Sequence, residues 1–427
     1  MLIAVLTITI LACIIIGMPI VFGLGISSLL TILVFERIPL IVIPQRMFAA
    51  LDSWPIMAIP FFMLAGTLMD RGGMSKRIVD FATELFCFVR GSLAMITVLA
   101  SMIFAGVSGS STADTAAIGS IMLPTMKERG YNMKFATALQ AAAGSIGPVI
   151  PPSILMIFIG ATTNTSIAKL FLGGIVPGVL IGVGLMIVSY IHARRGGNAY
   201  LSSKTFNWNR VLKATINAIP GLGLPVIIIG GIVGGIFTAT EAAVVAVVYG
   251  FIVGMFIYKE LKIADLPAIL IQSVKTATII MFLISTAFLF SWMITVLQIS
   301  TRLTNFMFSH VSSAFGFFIF FNIFLLIVGM FLESFSAIIL LSPLLFPIAQ
   351  SYGINPIHFG VVMCVNLAIG YITPPYGATL YVSCSLTGKT IREVTPYIFP
   401  IFISMLIVLI AITYFPQTIM WIPNMMR

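Results

Sequence analysis

The stretch Gly147-Pro148-Val149-Ile150-Pro151-Pro152-Ser153 returns in the second half of the chain as Gly370-Tyr371-Ile372-Thr373-Pro374-Pro375-Tyr376. The offset, 374 − 151 = 223, also pairs Asn132 with Asn355 and Pro177 with Pro400. Further upstream, residue type suggests an offset of 219, matching Asp114 to Glu333 and Pro124 to Pro343, with a four-residue loop insertion between the two registers. Each copy interrupts an apolar segment, where proline withholds a backbone donor and leaves carbonyls and amides without intrahelical partners. Paired breaks in two related halves mark the binding site of a secondary transporter. A Pro-Pro pair also serves as a plain kink, so the reading rests on the repetition.

Composition sets the class. Of 427 residues, 60% are hydrophobic and 8% charged, against about 25% charged in a soluble domain. Apolar runs of roughly 20 residues, enough to cross a hydrocarbon core of about 30 Å, recur along the chain. The expected fold is an all-α polytopic membrane protein. A β-barrel is excluded because its strands alternate apolar and polar residues, whereas these runs are apolar on every face. Cys13, Cys87, Cys364 and Cys384 form no CxxC pair and are expected to pack as small hydrophobes. His192, His310 and His358 have no metal-ligand spacing and are expected near helix ends. From Leu2 onward the amino terminus is apolar, with no basic leader segment, and reads as a retained helix.

The net charge of +10 reads as a topology signal rather than as a nucleic-acid surface. Arg194, Arg195, Lys204, Arg210 and Lys213 form a basic linker over 194–213 that is expected to face the cytoplasm. Arg71, Lys76, Arg77 and Arg90 form a second cluster, and Lys127, Arg129 and Lys134 a third. The segment between these two, about 92–125, must enter and leave on one side, with Ser108-Gly109-Ser110-Ser111-Thr112 at its tip. That describes a re-entrant hairpin, tolerated where protein or a wet cavity shields the tip. In the second half the charge pattern reverses, since 350–358 has no Lys or Arg while Lys389 and Arg392 follow the second break. The expectation is therefore two inverted-topology repeats, 1–193 and 214–427, with about 10 transmembrane helices and two re-entrant hairpins. The second hairpin is expected at about 311–345, and the interrupted helices at 135–160 and 359–384. Lone Arg302 is the one charge out of place.

A walk along the chain completes the expectation. Helices over 2–16 and 18–35 lead to an interfacial stretch, Glu36 to Ser53, broken at Pro39 and Pro44. A helix over 55–69, an inner-face segment over 75–88 and a return helix over 170–191 complete the first unit around its hairpin and break. The second unit is expected to have helices near 220–236 and 239–257, an interfacial stretch near 262–273, and helices near 275–297 and 396–415.

Chemistry is expected where the helices break. Freed carbonyls ligate cations, and half-helix amino termini attract anions. Hydroxyl, amide and carbonyl oxygens suit a hard cation such as sodium. Serines in membrane helices also simply pack or hydrogen-bond. Asp114 follows Ser111 by three, and Glu241 follows Thr238 by three, so both also fit a helix-start capping box. Asp114 and Glu333 are ionisable groups at membrane depth and hence candidates for a cation or gating role.

The motifs Ile59-Pro60-Phe61-Phe62, Arg71-Gly72-Gly73, Phe104-Ala105-Gly106-Val107-Ser108-Gly109-Ser110 and Ala113-Asp114-Thr115-Ala116-Ala117-Ile118-Gly119-Ser120 resemble the large membrane subunit of TRAP (tripartite ATP-independent periplasmic) transporters, of the DctM and SiaM type. So do Ile146-Gly147-Pro148-Val149-Ile150-Pro151-Pro152-Ser153, Phe237-Thr238-Ala239-Thr240-Glu241-Ala242-Ala243 and Thr373-Pro374-Pro375. Ala239 stands where that pattern has proline.

The resemblance implies a subunit of the bacterial inner membrane that works with a small four-helix membrane (Q) subunit and a periplasmic solute-binding protein. It implies sodium-driven symport by an elevator motion, and no GxxxxGK[ST] phosphate loop is present. It further implies a first Na+ site at Ser108, Gly109, Ser110, Ser145 and Gly147, and a second at Glu333, Ser334, Gly370, Thr373 and Pro374. The solute, an anionic sialic acid or C4-dicarboxylate with a lean to sialic acid, is expected at Ser111, Asp114, Pro151, Pro152, Ser153, Asn366, Pro375 and Tyr376. No arginine marks a carboxylate clamp near the tips. An intramembrane aspartyl protease is disfavoured because no GxGD occurs. A stand-alone cation- or proton-coupled carboxylate carrier is the alternative to a binding-protein-dependent one.

Overall fold

The computed structural model describes residues 2–35, 38–200, 206–311 and 313–426, and among them every regular element is helical. The chain begins with α1 (Leu2–Ile15) and α2 (Ile20–Phe35), parted at Gly17-Met18-Pro19. Next comes α3 (Val42–Leu51), in which Pro44 does not break the helix. Pro44 is the third residue of α3, where its missing amide has no intrahelical acceptor anyway. Glu36, the expected start of this stretch, lies outside the described residues, as does Lys204.

α4 (Ala58–Arg71) leads into α5 (Met74–Phe86), whose buried residues Ile78, Val79 and Ala82 share one face. α6 (Ser92–Ser108) and α7 (Ser111–Glu128) form the first hairpin. The first interrupted helix is α8 (Met133–Gly144) and α9 (Ile154–Thr163), followed by α10 (Ile167–Arg195). Arg194 and Arg195 belong to the last turn of α10, where cations complement the helix dipole.

The second half opens with α11 (Trp208–Val233), which already carries Arg210 and Lys213, so the non-helical connection is shorter than 194–213. α12 (Ala239–Ile252) starts at a capping box between Thr238 and Glu241. The capping alternative for Glu241 is thus the observed one. α13 (Leu266–Val296) is a single helix of 31 residues. An interfacial stretch over 262–273 followed by a separate helix is therefore incorrect. No Gly or Pro lies between Gln272 and Thr276 to part them. At 1.5 Å per residue, α13 runs roughly 46 Å, longer than a core of about 30 Å.

α14 (Ile299–His310) precedes the second hairpin, α15 (Ala314–Phe331) and α16 (Ser334–Ser351). The second interrupted helix is α17 (Pro356–Gly370) and α18 (Ala378–Thr387), and α19 (Ile391–Tyr414) and α20 (Gln417–Met425) end the chain. Among the described residues, seven helical stretches are long and apolar enough to cross a membrane: α10, α11, α12 with its continuation to Ile257, α13, α15, α16 and α19. Exposed Ile219 and Val226 on α11, Ile323 and Ile327 on α15, and Ile403 and Ile407 on α19 give these helices apolar outer faces suited to lipid.

The two hairpins keep one register. α7 and α16 each have 18 residues. Their N-caps, Ser110 and Glu333, differ by 333 − 110 = 223. Left-handed Gly130 and Gly353 follow both helices at the same spacing, with φ of 74° and 73°. Asn132 and Asn355 then cap α8 and α17, accepting from backbone amides. The 219 register and its four-residue insertion are therefore incorrect: Glu333 corresponds to Ser110, and Asp114 to Ala337. Pro124 pairs with Pro347, not Pro343, since 347 − 124 = 223.

The interrupted helices form the centre of the molecule. Phe135 to Val149 are buried without exception, as are His358 to Ile372. Small residues such as Ala136, Ala138 and Ala141 to Gly144 line α8, letting α7 approach closely.

Candidate functional site

The two hairpin tips meet at one cavity of about 220 Å3. Gly109, Ser110, Ser111 and Thr112 line it from the first hairpin, and Glu333 and Phe335 from the second. Pro148 and Leu155 come from the first break, and Tyr371, Tyr376 and Ala378 from the second. Four helices, α7, α9, α16 and α18, have their first turns at this cavity. N-terminal turns carry unpaired amides and partial positive charge. α9 is capped by Ser153 and α16 by Glu333, whereas the N-caps of α7 and α18, Ser110 and Gly377, make no side-chain cap.

The first tip is held by its acid. Ser108 Oγ donates to Asp114 Oδ1, and the Ser110 amide donates to Ser108 Oγ at 3.1 Å. Gly109 turns the chain at φ 61°, and a Cβ there would come within 2.6 Å of the Pro152 carbonyl. The tip therefore sits directly on the first break. Asp114 is fully buried and its Oδ2 accepts no hydrogen bond. That oxygen faces Gly147, where an added Cβ would lie 2.7 Å from it and 3.2 Å from the Ser111 amide. A buried carboxylate oxygen without a donor is costly unless a cation or proton reaches it.

At the second tip the acid is satisfied. Tyr371 Oη donates to Glu333 Oε1 at 3.2 Å, and the Ser336 amide donates to Oε2 at 3.3 Å. Ser334 Oγ donates to the Leu367 carbonyl at 3.2 Å and Thr373 Oγ1 to the Ile369 carbonyl at 2.7 Å. Gly370 lies in the seam between α15 and α17, where a Cβ would be 2.8 Å from the Gly329 carbonyl oxygen.

The expected residues divide accordingly. Gly109, Ser110, Ser111, Glu333 and Tyr376 line the shared cavity. Ser108, Asp114 and Gly147 lie together behind the first tip. The Ser145 hydroxyl turns back to the Ala142 carbonyl at 2.8 Å. Ser153 is committed to the Pro148 carbonyl and the Met156 amide. Pro151-Pro152 and Pro374-Pro375 are both cis, the first pair buried, Pro374 half-buried and Pro375 exposed. Asn366 does not line the cavity: its carboxamide donates to the Asn322 carbonyl and Oδ1 on α15. Tyr371 was not anticipated, although it occupies the slot of Pro148 in the repeated motif.

Helical hairpins meeting interrupted helices at a shared cavity define the class: a multi-pass membrane transport protein, not an enzyme. The family model described as "Tripartite ATP-independent periplasmic transporter, DctM component" matches residues 7–418. The chain belongs to that family, as a TRAP transporter large permease. It is 40% identical over 407 residues to the C4-dicarboxylate TRAP transporter large permease protein DctM of Pseudomonas aeruginosa, covering 94% of both chains. To the isethionate TRAP transporter permease protein DctMQ of Oleidesulfovibrio alaskensis it is 40% identical over 403 residues, covering 94% of this chain but 63% of that longer relative. The sialic acid TRAP transporter large permease protein SiaM of Vibrio cholerae is 34% identical over 409 residues, covering 96% of this chain and 95% of that one. In fold, the chain resembles the crystal structure of the Alcanivorax borkumensis YdaH transporter, reported to have an unusual topology. The TM-score is 0.60 at 14% identity, covering 86% of this chain and 87% of that one.

Proposed function

We propose that this permease carries a small organic anion inward across the bacterial inner membrane, driven by sodium. A periplasmic binding protein delivers the solute, and a small Q-type membrane subunit completes the complex. The observation that carries this reading is the meeting of four helix N-termini at one cavity, two of them without a side-chain cap. The solute anion sits on the first turns of α7 and α18, which have no side-chain cap and serve where no cationic side chain lines the cavity. Sodium takes the free Oδ2 of Asp114 beside Gly147. A volume of about 220 Å3 is below the roughly 300–1,000 Å3 typical of drug-sized sites. It supports a compact dicarboxylate or sulfonate over a nine-carbon sialic acid.

In this reading the two halves are inverted repeats. The hairpins and interrupted helices move as one body against a scaffold containing α4 and α13. Sodium offsets the buried charge of Asp114 and orders the first tip, so the loaded body crosses more readily than the half-loaded one. Only such differential stabilisation shifts the equilibrium, and the linkage is reciprocal, each ligand tightening the other.

The test is uptake of labelled succinate, isethionate and N-acetylneuraminate by proteoliposomes containing the complex, with sodium or pH gradients imposed separately. Sodium-driven uptake of succinate or isethionate is the expected result. Uptake driven by a pH gradient and indifferent to sodium would overturn sodium coupling. It would favour the proton-coupled alternative, for which the same Asp114 oxygen is the proton acceptor. Uptake without any binding protein would favour a stand-alone carrier.

A further inference from the structure

A second cavity, of about 420 Å3, lies between α4, α13 and the first hairpin. Ser110 and Thr112 line both it and the cavity between the tips, so the two adjoin through the first tip. Its opposite wall carries Thr67, Asp70 and Arg71 of α4 with Gln272 and Ser273 of α13. Gly66 of α4 abuts the tip, since a Cβ there would lie 3.2 Å from Ser108 Cα. Arg71 is five residues further along α4, about 7.5 Å in axial rise. The adjacent acid, Asp70, accepts a hydrogen bond from Ser75 Oγ at 2.8 Å. Arg71 forms no ion pair among the described residues. Ser273 is 5% exposed, and its hydroxyl has no hydrogen-bond partner. A guanidinium without a counter-ion and an orphaned buried hydroxyl thus share a cavity that adjoins the cavity between the tips.

We propose that this cavity is the cytoplasmic release vestibule and that Arg71 is an anion-receiving residue within it, drawing the solute anion off the first tip. The inference rests on the transport reading above. The tip cavity offers an anion amides and hydroxyls beside the Glu333 carboxylate, whereas the vestibule presents the Arg71 guanidinium, with its neighbour Asp70 engaged by Ser75. Clefts walled by low-dielectric material focus such a field and raise the local concentration of the opposite charge. Arg71 therefore sets the direction of departure and favours anions over neutral or cationic solutes of equal size. Ser273 receives a polar atom of the solute on the same route.

A substrate-free experiment tests this. Ala116, which lines the vestibule but not the tip cavity, is replaced by cysteine. In inside-out vesicles of the full complex, its modification is timed with anionic 2-sulfonatoethyl methanethiosulfonate and with the cationic trimethylammonium analogue. The four native cysteines are buried, and labelling of the parent is subtracted. The anion-to-cation rate ratio is expected to fall about fivefold in Arg71→Gln, to invert in Arg71→Glu and to be retained in Arg71→Lys, as expected for a unit charge within roughly 10 Å. Unchanged ratios in both Arg71→Gln and Arg71→Glu, or labelling only from the periplasmic side, would overturn the proposal. The uptake assay separates the two claims. Sodium-driven uptake with no charge selectivity sinks the vestibule role of Arg71 and leaves the transport reading intact. Selectivity without uptake of succinate, isethionate or N-acetylneuraminate leaves Arg71 as an anion-selecting residue of this cavity and sinks the transport reading, and with it the release role.

Discussion

The two hairpin tips share a register and a backbone plan, yet they handle their acids in opposite ways. At the first, Asp114 is one turn inside α7, fully buried, with one oxygen held by Ser108 and the other unpartnered against Gly147. At the second, Glu333 is the N-cap of α16, and both of its oxygens accept hydrogen bonds. One acid keeps an uncompensated oxygen, and the other is already compensated by its own helix and by Tyr371. On the proposed reading, ion coupling falls to the first tip, while solute contact is shared between α7 and α18.

The comparison breaks most sharply on the acids themselves. Asp114→Asn keeps the side-chain shape but removes the charge a sodium ion would meet, so sodium-driven uptake should fall by about 100-fold or more, equivalent to some 2.7 kcal/mol. Glu333→Gln keeps one acceptor oxygen of two, so it loses the bond from Tyr371 or that from Ser336, and should retain sodium dependence with a smaller rise in solute KM. Equal losses in the two variants would erase the distinction.

The paired glycines sharpen it next. Gly147→Ala directs a methyl at Asp114 Oδ2, and should weaken apparent sodium affinity about tenfold, a cost near 1.4 kcal/mol, with the protein still folded. Gly370→Ala instead meets the Gly329 backbone on α15. Such overpacking costs about 1–3 kcal/mol and should appear as a lower melting temperature. Thermal unfolding beside sodium titration of uptake separates the two outcomes. Tyr371→Phe is the mildest. Losing one hydrogen bond worth about 0.5–1.5 kcal/mol should raise solute KM severalfold and leave sodium affinity unchanged.

The positions of the hairpins and breaks were legible because proline and glycine act locally, wherever they stand. The helix bounds around 145–153 and 371–377 follow directly from Pro148, Pro151 and Pro152 in the first half and from Pro374 and Pro375 in the second. Register within the hairpins was not legible from residue type. Pro343 and Pro347 both lie inside α16, and the tips Gly109-Ser110 and Leu332-Glu333 share no chemistry, so matching acid to acid slid the alignment by a turn. The unbroken α13 was missed because polar residues near Lys275 imitate an interface that continuous backbone hydrogen bonding overrides. Asn366 was misplaced for a related reason. It lies next to a break, but its face of α17 is turned to Asn322 rather than to the cavity. Which face a buried helix presents is decided by packing on all sides, and periodicity is silent where every residue is buried.

Sodium-dependent thermal stabilisation of the purified chain tests the central claim most directly, since a ligand that binds only the folded state raises its melting temperature. Measured with sodium replaced by choline as the control, the wild type and Glu333→Gln should both be stabilised by sodium. Asp114→Asn should lose that shift while melting near the sodium-free wild type. A full sodium shift in Asp114→Asn would contradict the assignment of the cation to the first hairpin.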